Sequence, residues 1–150
     1  MRGVIALGSN LGDRQRNISA ALDLLAQSMK LVGVSTLIET KPVGGPEQGD
    51  YLNGVCIVET ELGPEQLLQR LMDIESELGR VRVEPNGPRT IDLDLITYGE
   101  QEISTAELII PHPRAHLRAF VLAPWFELEP DAKIPGKGRV RDLLDALMPA

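Results

Sequence analysis

Two aspartates, Asp92 and Asp94, lie two apart in the run GPRTIDLDL, and Arg80, Arg82 and Arg89 precede them within a dozen residues. On a strand, side chains at that spacing point to one face. Ile91, Leu93 and Leu95 then point to the other, where they can pack against helices. The two aspartate Cα atoms would stand roughly 6.5–7 Å apart. Carboxylates so placed can converge on hard cations, and two-metal sites hold their ions about 3.5–4 Å apart. Magnesium takes oxygen ligands, keeps several waters and shares itself with substrate phosphates. A bare pair of this kind is more often a solvated strand face. The arginines change that balance, because guanidinium groups match phosphate oxygens bidentately. Carboxylates for metal beside arginines for phosphate form a constellation suited to phosphoryl transfer. His112, Arg114, His116 and Arg118 add a second basic cluster.

The elements that must position these residues can be read from periodicity and punctuation. Residues 3–7 (GVIAL) read as a buried strand stopped by Gly8-Ser9-Asn10. Asp13 is a plausible cap for a helix whose apolar face is Ile18, Ala21, Leu22 and Leu25. Residues 31–40 alternate imperfectly and run into the loop TKPVGGPEQGD. Residues 51–62 read as a strand rich in β-branched side chains. Pro64 opens a second helix with Leu67, Leu68, Leu71, Ile74 and Leu78 on its apolar face, and Gly79 ends it. The basic loop RVRVEPNGPR leads into a strand over residues 90–98. Residues 107–110 are expected to pair near the end of that strand. Mixed turn and short helix follow, with a last small helix over residues 139–147. Strand, helix, strand, strand, helix, strand is the ferredoxin-like order. It predicts an α+β fold with an antiparallel sheet, helices packed on one face and the site on the other.

Bulk properties narrow the partners. The 150 residues fit one domain, 43% are hydrophobic, 25% are charged, and the formal net charge is −7. Such a chain is a poor candidate for nucleic acid or anionic membranes, so any polyanion must meet a local basic patch. The single cysteine, Cys56, sits in an apolar run and reads as a small buried residue. The composition suits the reducing cytoplasm. No G-x-x-x-x-G-K-[ST] occurs, and GSNLG (8–12) reads as a plain strand-to-helix turn. Phosphate would therefore be held by side chains and magnesium.

The motifs ALGSNLGD, TKPVGG, DYLN, ELGRVR, GPRTIDLDL, IIPHPR and RAFVLAP run through the chain in that order. In this set it resembles the 6-hydroxymethyl-7,8-dihydropterin pyrophosphokinases of folate biosynthesis nearly end to end. The resemblance implies a ferredoxin-like fold, two bound magnesium ions and ATP as co-substrate. It implies transfer of the pyrophosphoryl group of ATP to the pterin hydroxymethyl oxygen, with release of AMP. Asp92 and Asp94 match the metal ligands, and Arg80 and Arg82 the loop arginines that meet the phosphates. Arg89, His112 and Arg118 match further nucleotide contacts, as do Leu68 and Leu95 near adenine, and Glu75 falls on a glutamate of the same pattern. Tyr51 and Phe120 match the aromatic pair about the pterin, and Thr40, Val43 and Asn53 its remaining wall. Asn86 stands where members can carry an aromatic, and Pro113 and Met72 also depart from positions that can contact nucleotide.

Residue chemistry agrees on several points. Aromatics are only 3% of the chain, so Tyr51 beside a strand and Phe120 beside a basic cluster suit a stacked ring ligand. Asn53 offers donors and an acceptor to a pterin edge. No strong general base stands out, so positioning and charge neutralisation are expected to carry catalysis. Magnesium is expected to lower the hydroxyl pKa, Asp92 to assist in accepting the proton, and Arg80 and Arg82 to act in the transition state. The partners expected are ATP and the pterin, without nucleic acid or membrane, and the chain is expected to act as a monomer. A non-enzymatic ferredoxin-like ligand-binding domain would explain the fold but not the aspartates and arginines. A metal-dependent nuclease or RNA-binding domain is opposed by the net charge and by the absence of an aromatic-rich RNA-binding strand.

Overall fold

The structure, a computed structural model, describes residues 1–41, 48–79 and 90–147. Strand β1 (Arg2–Ser9) leads into helix α1 (Arg14–Ser28), whose first turn is capped by Asp13 accepting the Arg16 N–H at 3.1 Å. Strands β2 (Lys30–Val34) and β3 (Ile38–Thr40) divide the imperfectly alternating stretch between them. Strand β4 (Tyr51–Glu59) is followed by helix α2 (Pro64–Glu77), with proline at its first turn. The Gln66 side chain accepts the Gly63 N–H at 2.9 Å, and Gly79 leaves the helix at φ +85°. Strand β5 (Asp92–Tyr98) completes the main sheet, ordered β2-β4-β1-β5 with β3 also on β4 and every pair antiparallel. This is the expected ferredoxin-like arrangement.

One face of the sheet is packed by α1 and α2. Ile5 and Leu7 of β1, Cys56 and Val58 of β4, and Leu93 and Leu95 of β5 meet Ile18, Leu25, Leu67, Leu71 and Ile74 there, with Ile91 just before β5. Cys56 is fully buried, and burial pushes its thiol pKa up to about 12, so it behaves as a core side chain.

The second face is shared. Helix α3 (Ala119–Leu128) and helix α4 (Val140–Leu147) cover part of it, burying Val121, Leu122, Trp125 and Val140 against Val4, Val55, Ile57 and Ile96. These strand residues are apolar, so this half demands a cover. Strand β6 (Ile103–Ser104) pairs β7 (Ile109–Ile110) in a separate ribbon. Ile109 and Ile110 therefore pair with β6, and not with β5 as the sequence suggested. A second ribbon, β8 (Lys133–Ile134) with β9 (Gly138–Arg139), precedes α4. No described helix is long and apolar enough to cross a membrane.

Candidate active site

Along the second face each central strand changes character. Moving from Val4 through Ala6 to Gly8, β1 shrinks its side chains. Strand β4 passes from Ile57 and Val55 to Asn53 and Tyr51, and β5 from Ile96 to Asp94 and Asp92. A cavity of about 500 Å³ opens over the small and polar end, within the range of small-molecule sites. It is lined by Ala6, Leu7 and Gly8, by Thr40 and Lys41, by Tyr51 and Asn53, and by Asp92 and Asp94. Arg114, Leu117, Arg118, Ala119 and Phe120 close it from the segment that enters α3.

Sheet register builds the floor. Gly8 pairs with Asn53 on one side and Asp92 on the other, and Ala6 lies between Val55 and Asp94. A Cβ on Gly8 would stand 3.0 Å from Asn53 Oδ1, 3.5 Å from Tyr51 Cδ1 and 3.9 Å from Asp92 Cβ. The missing side chain lets Asn53 lean over β1, and Asn53 Nδ2 donates to Thr40 Oγ1. Just after β1, Asn10 Nδ2 donates to Gln48 Oε1 at 2.7 Å and to the Gly49 carbonyl at 3.0 Å. Arg14 donates to the Asp50 carbonyl at 3.0 Å and pairs with Glu39 at 2.6 Å. It thus ties β3 to the residue that precedes β4.

The basic wall is hung on β5. The pairing of β1 with β5 shifts between Val4 and Ile5, leaving Ile96 without an opposite residue. The Ile96 carbonyl accepts the His112 N–H at 2.9 Å, which brings the PHPR segment alongside Asp92 and Asp94. His112 Nδ1 in turn accepts the Arg114 N–H at 3.1 Å, an assignment that puts the ring proton on Nε2. Burial lowers the His112 pKa to about 4, helped by the Arg118 charge, opposed by Asp92 and helped again by Arg114. At neutral pH the ring is uncharged. The Arg118 guanidinium carbon lies 5.6 Å from the centroid of the Phe120 ring, a cation–π contact at the cavity wall.

Of the residues singled out from the sequence, Thr40, Tyr51, Asn53, Asp92, Asp94, Arg118 and Phe120 meet in this one cavity. His112 stands behind its lining. Leu95 is buried against the helices and Leu68 packs on the same core, both on the opposite face. Glu75 is also buried there; its Oε2 accepts the Leu93 N–H of β5, and it does not line the cavity. Val43, Arg80, Arg82 and Arg89 lie outside the described residues. Sequence reasoning missed Gly8, Ala6 and Lys41 as lining, and it left Arg114 without a role. The alternation Val4-Ala6-Gly8 was the available signal for the first two. As a donor set, two carboxylates on one strand face suit a hard cation that completes its shell with water and phosphate oxygens. Among the described residues no group of three or more His, Cys, Asp or Glu could hold a metal ion.

Residues 4–130 match the family described as 7,8-dihydro-6-hydroxymethylpterin-pyrophosphokinase (HPPK). The chain is 42% identical over 142 residues to the 2-amino-4-hydroxy-6-hydroxymethyldihydropteridine pyrophosphokinase of Haemophilus influenzae, covering 93% of this chain and 89% of that protein. It is 46% identical over 135 residues to the folic acid synthesis protein fol1 of Pneumocystis carinii, covering 89% of this chain but only 18% of that much longer protein. A crystal structure of an HPPK-DHPS in complex with substrates shares the fold, with a TM-score of 0.76 at 15% identity, over 97% of this chain and 43% of that one.

Proposed function

The chain belongs to the 7,8-dihydro-6-hydroxymethylpterin-pyrophosphokinase family, and from that premise we propose that it transfers the pyrophosphoryl group of ATP to the hydroxymethyl oxygen of 6-hydroxymethyl-7,8-dihydropterin, releasing AMP, in folate biosynthesis. The observation that carries the reading is the convergence of Asp92 and Asp94 with Tyr51, Asn53 and Phe120 on one cavity. A purely ligand-binding ferredoxin-like domain would leave the paired carboxylates without a task.

In this reading Tyr51 and Phe120 hold the flat pterin ring, and Asn53, fixed by Thr40, reads its polar edge. Asp92 and Asp94 would hold two magnesium ions, which when bound would supply charge neutralisation for the triphosphate and lower the pKa of the attacking hydroxyl. Asp92 accepts the hydroxyl proton as the bond to the β-phosphorus forms and the bond from that phosphorus to the α-phosphate oxygen breaks. Arg118 and Arg114 face the carboxylates across the cavity and attract the phosphates. His112, neutral and with Nε2 protonated, offers them an uncharged donor. The resemblance assigns Arg80, Arg82 and Arg89 to charge at the transferring group, and it assigns Leu68 and Leu95 to the adenine, although both pack on the helix face and outside this cavity. The chain is taken as one domain acting as a monomer in the cytoplasm.

The test is direct. Supplied with ATP, magnesium and the hydroxymethyl-dihydropterin, the protein should release AMP and the pterin diphosphate. Release of ADP, or no nucleotide product from well-folded protein, would sink the reading.

A further inference from the structure

Helix α2 packs beneath β5, and its core-facing side is aliphatic with one exception. Leu67, Leu71 and Ile74 are fully buried, and Glu75 beside them is 6% exposed. An acidic group at such a position is unfavourable unless a strong donor meets it. Glu75 Oε2 accepts the backbone N–H of Leu93 at 2.9 Å. Leu93 is the residue between Asp92 and Asp94. Strand β5 lies at the edge of the main sheet, with β1 on its inner side. Along an antiparallel edge, alternate N–H groups point away from the sheet and need another acceptor. A carboxylate holds such a group more firmly than a neutral oxygen would.

We infer that Glu75 is a positioning residue for the carboxylate pair. By gripping the peptide at Leu93 it sets the rotation of β5 about its axis, and with it the direction in which both aspartates leave the strand. It acts from the opposite face of the sheet, through the main-chain N–H of Leu93. The inference rests on the metal-binding reading of Asp92 and Asp94.

The experiment follows Mn²⁺ binding by electron paramagnetic resonance, in the presence of a non-hydrolysable ATP analogue, and needs no turnover. Groups that orient metal ligands typically contribute 10–100-fold in affinity. Glu75→Ala should weaken Mn²⁺ binding by about tenfold or more and speed amide exchange at Leu93, with pterin affinity held within about twofold. Glu75→Gln keeps an acceptor at the same reach and should restore most of the metal affinity. Should Glu75→Ala fail to fold, Glu75→Leu preserves the packing and takes its place. A folded Ala or Leu variant that binds Mn²⁺ like the parent overturns the inference, as does Glu75→Gln losing as much affinity as Ala. Asp92→Ala, measured alongside, separates the two layers. If it leaves Mn²⁺ affinity intact, the metal-binding reading falls and the inference with it. If it removes Mn²⁺ binding while Glu75→Ala does not, only the role of Glu75 falls.

Discussion

The two faces of the main sheet come from the same strands by the same alternation, yet they carry different loads. Toward α1 and α2, β1 presents Ile5 and Leu7, and β5 presents Leu93 and Leu95. Toward the cavity the same strands present Ala6, Gly8, Asp92 and Asp94. The difference teaches that a rigid, fully packed face is what permits the other to be hollow and charged. The sharpest way to break the comparison is to cut neighbouring residues of β5. Asp92→Ala or Asp94→Ala should lower AMP release on the order of 10³-fold while the melting temperature stays close to the parent. Leu93→Ala, one residue away and 5% exposed, should instead cost about 3 kcal/mol of stability in a urea melt. Equal effects on activity and stability from the two kinds of change would erase the distinction between the faces.

Strand β1 offers a gentler version, because it carries a glycine on each face. Gly8→Ala would thrust a methyl to within 3.0 Å of Asn53 Oδ1 and displace the side chain assigned to the pterin edge. Pterin affinity, measured by calorimetry, should fall about tenfold, the effect of one lost hydrogen bond to a buried polar group. Gly3→Ala meets Val58 Cγ2 at 3.3 Å and Leu67 Cδ2 at 3.4 Å on the helix face. It should move stability by about 1 kcal/mol in either direction and leave pterin affinity unchanged. Arg14→Ala reaches the cavity only through Glu39 and Asp50, so a loss of pterin affinity of about two- to fivefold is expected, consistent with a surface ion pair and a single hydrogen bond.

Which of these features was legible in the sequence follows from how far apart their parts lie. The opposed stripes of Asp92-Asp94 and Ile91-Leu93-Leu95 needed only the period of a strand. The same holds for the apolar faces of α1 and α2 and for the cap at Asp13. Gly8 was misread as a strand stop because Gly-Ser-Asn is turn chemistry. In the fold β1 continues to Ser9, since β4 and β5 pair with it on both sides and override the local preference. The grip of Arg14 on Glu39 and Asp50, and of Glu75 on Leu93, joins residues whose proximity no local pattern encodes. The resemblance supplied Tyr51 and Phe120 as partners. Residue chemistry alone could not, because α3 reaches β4 only by crossing the second face. That face was expected to hold the site alone, but the apolar run of Val4, Val55, Ile57 and Ile96 also recruits α3 and α4 to it.

The smallest expected effect concerns His112, at the border between the two loads. Its pKa is lowered to about 4 in the fold, against an ordinary value of 6.5 once unfolded. Between those values the unfolded chain binds a proton that the folded chain refuses, so stability falls as pH drops from about 6.5 toward 4. Above 6.5 both states are neutral at this ring and the contribution is fully present; below about 4 both are charged and nothing more is lost. The ring is partly open to solvent, which screens the effect, and carboxylates titrate in the lower part of the same window. The informative quantity is therefore the difference between parent and His112→Gln in urea melts at a series of pH values. The variant should show a shallower decline across the window, with the two curves parallel above pH 7. Parallel curves throughout would mean that burial does not hold the ring neutral. The basic wall would then carry one more positive charge toward Asp92 at mildly acidic pH than the geometry implies.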